Sequence, residues 1–103
     1  MKHRQILLQV EAVQDLDAGF AFYESKESEL GYYFIDSLLA DLDALSFYAG
    51  IHPRYFGFFR MLSKRFPYAI YYDIQQEVVS VAAILNMRKD PLFIRKELGE
   101  RKS

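Results

Sequence analysis

FFRMLSKRFPYAIYYDIQQEVVSVAAILNMRKDP, residues 58–91, is the stretch that decides the fold. Apolar and polar residues alternate along its first half, which predicts two half-buried strands that meet at the corner Arg65-Phe66-Pro67. Pro67 has no backbone N–H for a sheet ladder, so it belongs to this corner. A polar turn at Gln75-Gln76-Glu77 leads to a third strand, which ends at Met87-Arg88-Lys89-Asp90-Pro91. Because this strand carries no charge on either face, we expect it in the middle of the sheet.

The alternation also predicts which side chains share a face of the sheet, since successive residues of a strand point to opposite sides. In the first strand, Phe59 and Met61 lie opposite Arg60, Leu62 and Lys64. In the second strand, one predicted face consists of Tyr68, Ile70, Tyr72 and Ile74, and the other of Ala69, Tyr71 and Asp73. In the third strand, one predicted face consists of Val79, Val81, Ala83 and Leu85, and the other of Val78, Ser80, Ala82, Ile84 and Asn86.

Upstream of this sheet, residues Ile6 to Val10 alternate and predict a short strand at a sheet edge. From Ala12 to Lys26 the apolar spacing changes to three and four, which predicts a helix. Its core face is formed by Val13, Leu16, Phe20 and Tyr23. Gly19 lowers helix propensity, and a close contact with another element would explain its presence.

A second helix follows the polar break Lys26-Glu27-Ser28-Glu29, where Ser28 is the predicted cap. The helix runs to about Phe47, and Gly50 suits its C-terminal end. Two helices with so short a joint form an antiparallel hairpin. The predicted core stripe is Phe34, Ile35, Leu38, Leu39, Leu42 and Leu45, with Asp36, Asp41 and Asp43 on the opposite side.

The order of elements is strand, helix, helix and then three strands, which predicts an α+β fold. The helical hairpin covers one face of a small, twisted antiparallel sheet, and the first strand joins that sheet. The tail, Pro91 to Ser103, is predicted as a short helix that docks on the sheet and frays into a basic end. The other sheet face stays open or is partly covered by this tail. The length of 103 residues suits one domain, residues 1–103.

Composition excludes several kinds of site. The chain has no cysteine, which excludes disulfides, thiolate zinc sites and cysteine nucleophiles. Its two histidines, His3 and His52, are far apart in sequence, so we expect no metal site and no cofactor. No stretch has membrane-spanning length and the N-terminus does not resemble a signal peptide, so we expect a cytoplasmic protein.

The net charge of −1 conceals a strong asymmetry. Residues 11–45 carry nine acids and one base, whereas residues 46–103 carry ten bases and five acids. Solvated faces of amphipathic helices explain this pattern, and charge alone favours that interpretation. The alternative is that the basic half meets an anionic partner, either nucleic acid or an acidic polypeptide.

The connection between the helices and the sheet, residues 49–57, contains His52, Arg54 and Tyr55. Loops often carry catalytic groups, so this segment is a candidate for chemistry. The segment also contains Gly50, Pro53 and Gly57, which are typical of a connecting loop without chemistry, and we prefer this interpretation.

Five short motifs occur in a fixed order along the chain. They are Asp15-Leu16, Phe22-Tyr23-Glu24, Leu30-Gly31-x-x-Phe34, Arg65-Phe66-Pro67-Tyr68-x-Ile70-x-Tyr72 and Met87-Arg88-Lys89-Asp90-Pro91. Together they resemble the RelE/ParE superfamily of bacterial type II toxin–antitoxin toxins, in particular its ParE-like branch. The first three are similar to the helical hairpin of that branch, the fourth to its sheet corner and the last to its final strand end. The resemblance covers nearly the whole chain.

Four positions depart from the patterns of the superfamily. Asn86 stands where many relatives have a histidine, Lys89 replaces an arginine, and Phe93 replaces a frequent tryptophan. Tyr68 stands where the ribosome-dependent RNases usually carry an arginine. Those RNases are also strongly basic before the sheet, whereas residues 46–59 contain a single base, Arg54. Tyr68 and the single base before the sheet favour the ParE-like branch, whereas Asn86 and Lys89 are the reason to consider an inactive relative.

The resemblance implies a toxin that a cognate antitoxin neutralises and that, when free, poisons DNA gyrase by binding it rather than by catalysis. It implies a toxin–antitoxin hetero-oligomer, with a homodimer as an alternative for the chain alone, and a role in plasmid stabilisation. Two alternatives stay open. One is a metal-independent mRNA endonuclease that acts on the ribosome, and the other is an inactive relative that only binds its antitoxin.

The resemblance and the basic strands also select candidate site residues. If the chain is a nuclease, the catalytic candidates are Arg88, Arg60, Arg65 and Tyr72, with Tyr55 and Tyr71 as further proton carriers. Arg88 has a simpler interpretation as a strand-end cation that pairs with Asp90 or with the antitoxin. The expected partner-binding residues are Arg60, Lys64, Arg65, Arg88, Lys89 and the aromatic residues Phe56, Phe58 and Phe59, which we expect to be exposed.

Overall fold

A computed structural model describes residues 3–102 and contains a five-stranded sheet with helices on both faces. The helical hairpin packs on one face and a C-terminal helix on the other. The elements are β1 (Gln5–Leu8), α1 (Val10–Lys26), α2 (Leu30–Tyr48), β2 (Arg54–Tyr55), β3 (Phe58–Leu62), β4 (Tyr68–Gln75), β5 (Val78–Asn86) and α3 (Pro91–Lys102).

The strand order is β1-β5-β4-β3-β2, which confirms the edge position of the first strand and the inner position of β5. β1 runs parallel to β5, and every other neighbouring pair is antiparallel. The short strand β2 was not predicted, because its two residues lie in the segment interpreted as a connector. The predicted α+β class is confirmed.

The helical hairpin packs closely, as Gly19 led us to expect. A Cβ atom on Gly19 would lie 2.5 Å from the ring of Phe34, so only glycine lets this ring lie against α1. Two residues predicted to lie in the core are exposed. Val13 of α1 is exposed and its neighbour Ala12 is buried instead, and Leu39 of α2 is also exposed. Asp41 was expected in solvent but is buried, and it accepts a hydrogen bond from Ser63 Oγ at 2.6 Å.

The predicted cap of the second helix is wrong. Glu29, not Ser28, is the N-cap residue of α2, and its φ of 76° leaves its own side chain in no position to cap. The Glu24 carboxylate of α1 replaces it, accepting hydrogen bonds from Glu29 N–H (3.0 Å) and Gly31 N–H (2.9 Å). A negative charge thus satisfies the free N–H groups at the positive end of α2. At the other end, Gly50 follows the C-cap residue with φ 100°, as predicted.

A bulge corrects the predicted faces of the third strand. Tyr71 pairs with Ala83 but Tyr72 pairs with Val81, so Ala82 is one extra residue on β5. The bulge reverses the alternation beyond this point. Val79, Val81 and Ile84 therefore face the helical hairpin, whereas Ala83 and Leu85 face α3.

The tail is a full helix that covers the second sheet face. Ile94 and Leu98 of α3 are buried against Phe58, Tyr71 and the small residues of β5. The basic end stays helical and attached through Lys102, the last described residue. Lys102 Nζ lies 3.1 Å from Asp73 Oδ2 and donates to Gly57 O at 2.8 Å. Ser103, the last residue of the predicted tail, lies outside the described residues.

In the part of the chain that the structure describes, no helix combines the length and apolar character needed to cross a membrane.

Gly19 and Gly99, two of the helical glycines, give a matched test of the hairpin contact. Gly19→Ala is expected to lower the free energy of unfolding by about 1–3 kcal/mol, since the new methyl group displaces the Phe34 ring. Gly99 has no atom within 4 Å of a new Cβ, so Gly99→Ala is expected to raise it by about 0.5–1 kcal/mol through helix propensity. Urea unfolding measures both, and a Gly19→Ala variant as stable as the wild type would contradict the packing argument.

Candidate partner-binding groove

A groove of about 410 Å³ lies between α1 and α3, above the C-terminal half of β5. β1 pairs with β5 only as far as Val81, and among the described residues no strand continues along this edge. α1 and α3 form the walls and the ends of β4 and β5 form the floor. The lining residues are Asp15, Ala18, Gly19, Phe22, Tyr68, Ile84, Leu85, Asn86, Lys89, Phe93, Glu97 and Arg101.

Each wall carries an exposed phenylalanine with a lysine beside it. Phe22 of α1 and Phe93 of α3 are 47% and 44% exposed. Lys26 Nζ lies 4.9 Å from the Phe22 ring centroid, and Lys89 Nζ lies 5.4 Å from that of Phe93. These cation–π contacts place two ammonium groups near two apolar surfaces. The combination suits an apolar side chain that has carboxylates beside it.

An ion-pair cluster closes one end of the groove. The Arg101 guanidinium donates from both terminal nitrogens to the Asp15 carboxylate, with the Nη2 to Oδ1 distance at 3.0 Å, and Nη2 also donates to Glu97 at 3.0 Å. Both Arg101 and Asp15 side chains are 13% exposed. The hydrogen bond to Asp15, opposed by burial, raises the pKa of Arg101, which stays charged. We call this contact the Asp15–Arg101 latch, because it ties α3 to α1.

The latch also satisfies the free edge of β5. Ile84 N–H donates to Asp15 Oδ2 at 2.9 Å, and Ala82 O accepts from Arg101 Nη1 at 3.1 Å. These backbone groups flank the bulge and face the side where β1 has ended. A buried backbone group without a partner costs free energy, so the two side chains replace a missing strand at this point.

Tyr68, on the floor, holds its proton. Burial, then the nearby Tyr23 and Asp15, raise the pKa of the Tyr68 hydroxyl to about 12, against a hydrogen bond with Asn86 that lowers it. At neutral pH this hydroxyl is a hydrogen-bond donor and does not act as a base.

The predicted basic residues gather at one end of the sheet, with one exception. Met87 N–H donates to Pro67 O at 2.6 Å, which holds the turn after β5 beside the β3–β4 corner. Lys64 and Arg65 in the corner, and Arg88 and Lys89 in the turn, are all exposed. Only Lys89 lines the groove. Asp90 Oδ1 accepts from Leu92 N–H at 2.9 Å and so caps α3 rather than pairing with Arg88.

Arg60 lies within β3 rather than in the corner or the turn, on the α3 side of the sheet. Its guanidinium carbon is 3.8 Å from the Tyr55 ring centroid, and Nη1 lies 4.0 Å from Met87 Sδ. Its Nε is buried and has no hydrogen-bond partner among residues 3–102. Arg60 is therefore held against an aromatic ring and does not join the cations at the sheet end.

The three expected aromatic contacts do not form one surface. Phe56 is exposed, with φ 53°, but Phe58 is buried beneath α3 with Lys102 Nζ 4.5 Å from its ring centroid. Phe59 points to the opposite face, where it stacks on Tyr72 at 5.2 Å. The expectation that Phe58 is exposed is wrong, because α3 covers that sheet face.

Two of the three tyrosine candidates for proton transfer are in the interior, whereas Tyr55 on β2 is exposed and has Arg60 packed on its ring. Tyr72 is fully buried, and its oxygen accepts from Gly50 N–H at 2.9 Å and lies 2.5 Å from His52 Nδ1. Tyr71 is 2% exposed. Burial raises the pKa of both hydroxyls. Tyr72 therefore anchors the loop after α2, and in this arrangement neither residue can contact a nucleic acid.

The sequence pattern did not predict that Phe22, Lys26 and Phe93 lie on a common surface. Phe22 does carry a signal, because it lies off the predicted core stripe of its helix and yet is aromatic. The position of α3 was needed to bring Phe93 opposite it. No group of three or more histidine, aspartate or glutamate side chains within residues 3–102 is arranged to hold a metal ion.

The Asp15–Arg101 latch predicts a large difference between two arginines of α3. Arg101→Met leaves the largely buried Asp15 carboxylate without its cation, and we expect a loss of about 2 kcal/mol in the free energy of unfolding. Arg95 is exposed, so Arg95→Met is expected to change it by less than about 0.5 kcal/mol. Urea unfolding and hydrogen exchange across α3 measure both, and equal losses would contradict a specific role for the latch.

His52 predicts a pH dependence. Its pKa is lowered from the ordinary 6.5 by burial, and its Nδ1 lies 2.5 Å from the Tyr72 hydroxyl oxygen. The unfolded chain therefore takes up this proton more readily, and the free energy of unfolding falls as pH falls below about 6.5. Urea unfolding between about pH 7.5 and pH 5 should show a smaller fall for His52→Gln than for the wild type. An unchanged fall would remove His52 as its cause.

Comparison with known proteins gives a structural match. No family model matches the sequence, and no curated protein matches it. A solved chain described as "Chromosomal ParDE TA system from P. aeruginosa" superposes with a TM-score of 0.73 at 15% sequence identity. The match covers 84% of this chain and 98% of that chain. The chain therefore shares the fold of a chain of that ParDE system, and its architecture is the α+β arrangement that the sequence predicted.

Proposed function

We propose that this chain is the toxin of a bacterial type II toxin–antitoxin system and that it is ParE-like, with residues 1–103 as one toxin domain. The structural match to a chain of a ParDE system carries this proposal. The ordered motifs from Asp15-Leu16 to Met87-Arg88-Lys89-Asp90-Pro91 support it independently, because they were identified without the structure. The neutralising partner is an antitoxin, with which the chain forms a hetero-oligomer in the cytoplasm.

The groove between α1 and α3 suits a segment of this antitoxin. Phe22 and Phe93 offer two apolar surfaces, and Lys26 and Lys89 offer charge beside them. A segment with an apolar anchor and neighbouring acids would satisfy both. Arg88, exposed on the same turn as Lys89, adds a further cation for an acidic partner.

The structure gives more support to a toxin that acts by binding a target than to a nuclease. Metal-free RNA cleavage needs an accessible base, a cation for the phosphorane and an acid for the leaving oxygen. Tyr71 and Tyr72 are buried, and Tyr55, the exposed tyrosine candidate, has the Arg60 guanidinium packed on its ring. We infer a protein target, and the ParE-like resemblance makes DNA gyrase the proposed one.

One observation favours the endonuclease alternative. Lys64, Arg65, Arg88 and Lys89 are exposed at one end of the sheet, and four cations side by side bind a phosphate backbone. The accessible proton carrier beside them would have to be another side chain, since Tyr68 has its pKa raised to about 12. We therefore keep this function as the second candidate.

Expression in bacteria distinguishes the two functions. We expect the chain alone to arrest growth and induce the DNA-damage response, and we expect co-expression of the small adjacent reading frame to restore growth. Primer extension on translated messages is expected to show no new 5′ ends. New 5′ ends without DNA damage would support the endonuclease instead, and normal growth of cells that express the folded chain would contradict both.

Two neighbouring residues of α3 test the groove. Phe93→Glu places a carboxylate on the groove wall, and we expect it to weaken binding of the purified adjacent-frame product at least about tenfold. Leu92→Glu makes the same kind of change at a side chain that is 71% exposed and does not line the groove, and it is expected to leave affinity unchanged. Calorimetric titration measures both, and equal affinities would place the antitoxin elsewhere.

A further inference from the structure

The solvent-facing side of α2 is unusual for a helix that contacts only its own domain. Six positions fall on one side of the helix within an arc of about 100°, and all six are exposed. Four are apolar or aromatic and two are acidic. We name this surface the acidic face of α2; it consists of Tyr32, Asp36, Leu39, Ala40, Asp43 and Phe47.

Its apolar members are large and exposed. Tyr32, Leu39 and Phe47 are 58%, 49% and 41% exposed, and they succeed one another at two-turn spacing along the helix. Isolated apolar side chains on a surface are ordinary, but a contiguous stripe marks an interaction site. The stripe offers an anchor at each end and one in the middle.

The charge of this surface has one sign. Asp36 and Asp43 alternate with the apolar residues, and the whole helix Leu30–Tyr48 contains no lysine and no arginine. Soluble surfaces ordinarily mix both signs. An apolar stripe interrupted only by carboxylates is complementary to an apolar stripe interrupted by lysines or arginines.

A depression beside Leu39 adds shape to the surface. It has a volume of about 460 Å³ and lies between α2 and β1, where Ile6, Leu8 and Leu42 contribute apolar walls and Asp43 contributes a carboxylate. Arg4 also lines it, with its guanidinium Nη1 donating to Ala49 O at 3.0 Å. The flanking rings are held in place: Tyr32 contacts Phe20 and Phe47 contacts His3, each with ring centroids 4.9 Å apart. Fixed anchors reduce the side-chain entropy that binding would otherwise cost.

We propose that the acidic face of α2 binds a basic amphipathic helix of another protein, with an apolar side chain of that helix in the depression beside Leu39. A second copy of this chain fits poorly, since a two-fold contact through α2 sets Asp36 and Asp43 against the same acids of the other copy. A strand added to β1 would gain only a four-residue edge and would not use Tyr32. The basic helix satisfies the apolar stripe, the carboxylates and the depression together.

This surface is separate from the groove and goes beyond the proposed function. None of the six residues of the acidic face of α2 lines the groove between α1 and α3. The two surfaces also require partners of opposite charge, acids for Lys26 and Lys89 and bases for Asp36 and Asp43. The helix-binding surface therefore stands or fails independently of the identity of the antitoxin.

Two peptides of the same composition test the proposal on the purified full chain. Each has about 18 residues of leucine and lysine, one with helical apolar spacing and the other with strict alternation that favours a strand. We expect the helical peptide to bind at least about tenfold more tightly in fluorescence anisotropy. We also expect amide shift changes in the NMR spectrum confined to α2 and β1. Tighter binding of the alternating peptide, or shifts elsewhere, would overturn the proposal.

Matched variants separate docking from general attraction between charges. Leu39→Glu is expected to weaken binding of the helical peptide at least about tenfold, although it adds negative charge to the protein. Leu92→Glu makes the same substitution at an exposed apolar residue of α3 and should not weaken binding. Asp43→Lys should weaken binding more than Asp17→Lys, an exposed acid of α1. Equal effects within either pair would show attraction without a site, and circular dichroism confirms folding of each variant.

Discussion

The place where β1 ends determines much of the rest of the structure. β1 pairs with β5 through Val81, while β5 continues to Asn86, so half of that edge has no strand beside it. Ala82 O and Ile84 N–H at the bulge then need partners, and Arg101 and Asp15 supply them. A charged pair that is mostly buried persists because each member also satisfies backbone groups. The same contact fixes α3 against the sheet and leaves an open channel between α1 and α3.

Several parts of this arrangement follow from local sequence, and others do not. The inner position of β5 was predictable because its residues carry no charge, and the Gly19 contact was predictable because glycine is costly in a helix. The bulge was not, since it depends on the length of β1 and on Asp15, which is 67 positions before Ala82 along the chain. Strict alternation therefore assigned Ala83 and Ile84 to the wrong faces.

In the candidate site, too, some features follow from local sequence and others depend on contacts between distant elements. The cations at the sheet end were selected from the resemblance and from the basic strands, and the hydrogen bond between Met87 and Pro67 brings the two segments that carry them together. Phe58 and Phe59 were both predicted to be exposed partner-binding residues, but neighbours in a strand face opposite ways and α3 covers one side. The cap at α2 failed for a similar reason, since Glu24 reaches it from the previous helix rather than from the local sequence. What escaped prediction in each case is a contact between elements distant in the chain.

Low sequence identity with a shared fold has a physical meaning here. The interior tolerates many combinations of apolar residues of suitable volume, so a TM-score of 0.73 at 15% identity requires only that a few constraints be kept. Close packing at Gly19, a satisfied edge at Ala82 and a covered second sheet face are constraints of that kind. Surface residues are free of them, and Lys26, Lys89, Asp36 and Asp43 are all exposed. The fold therefore sets the position of the two proposed partner surfaces, and the charges on the groove and on the acidic face of α2 set the class of partner that each would accept.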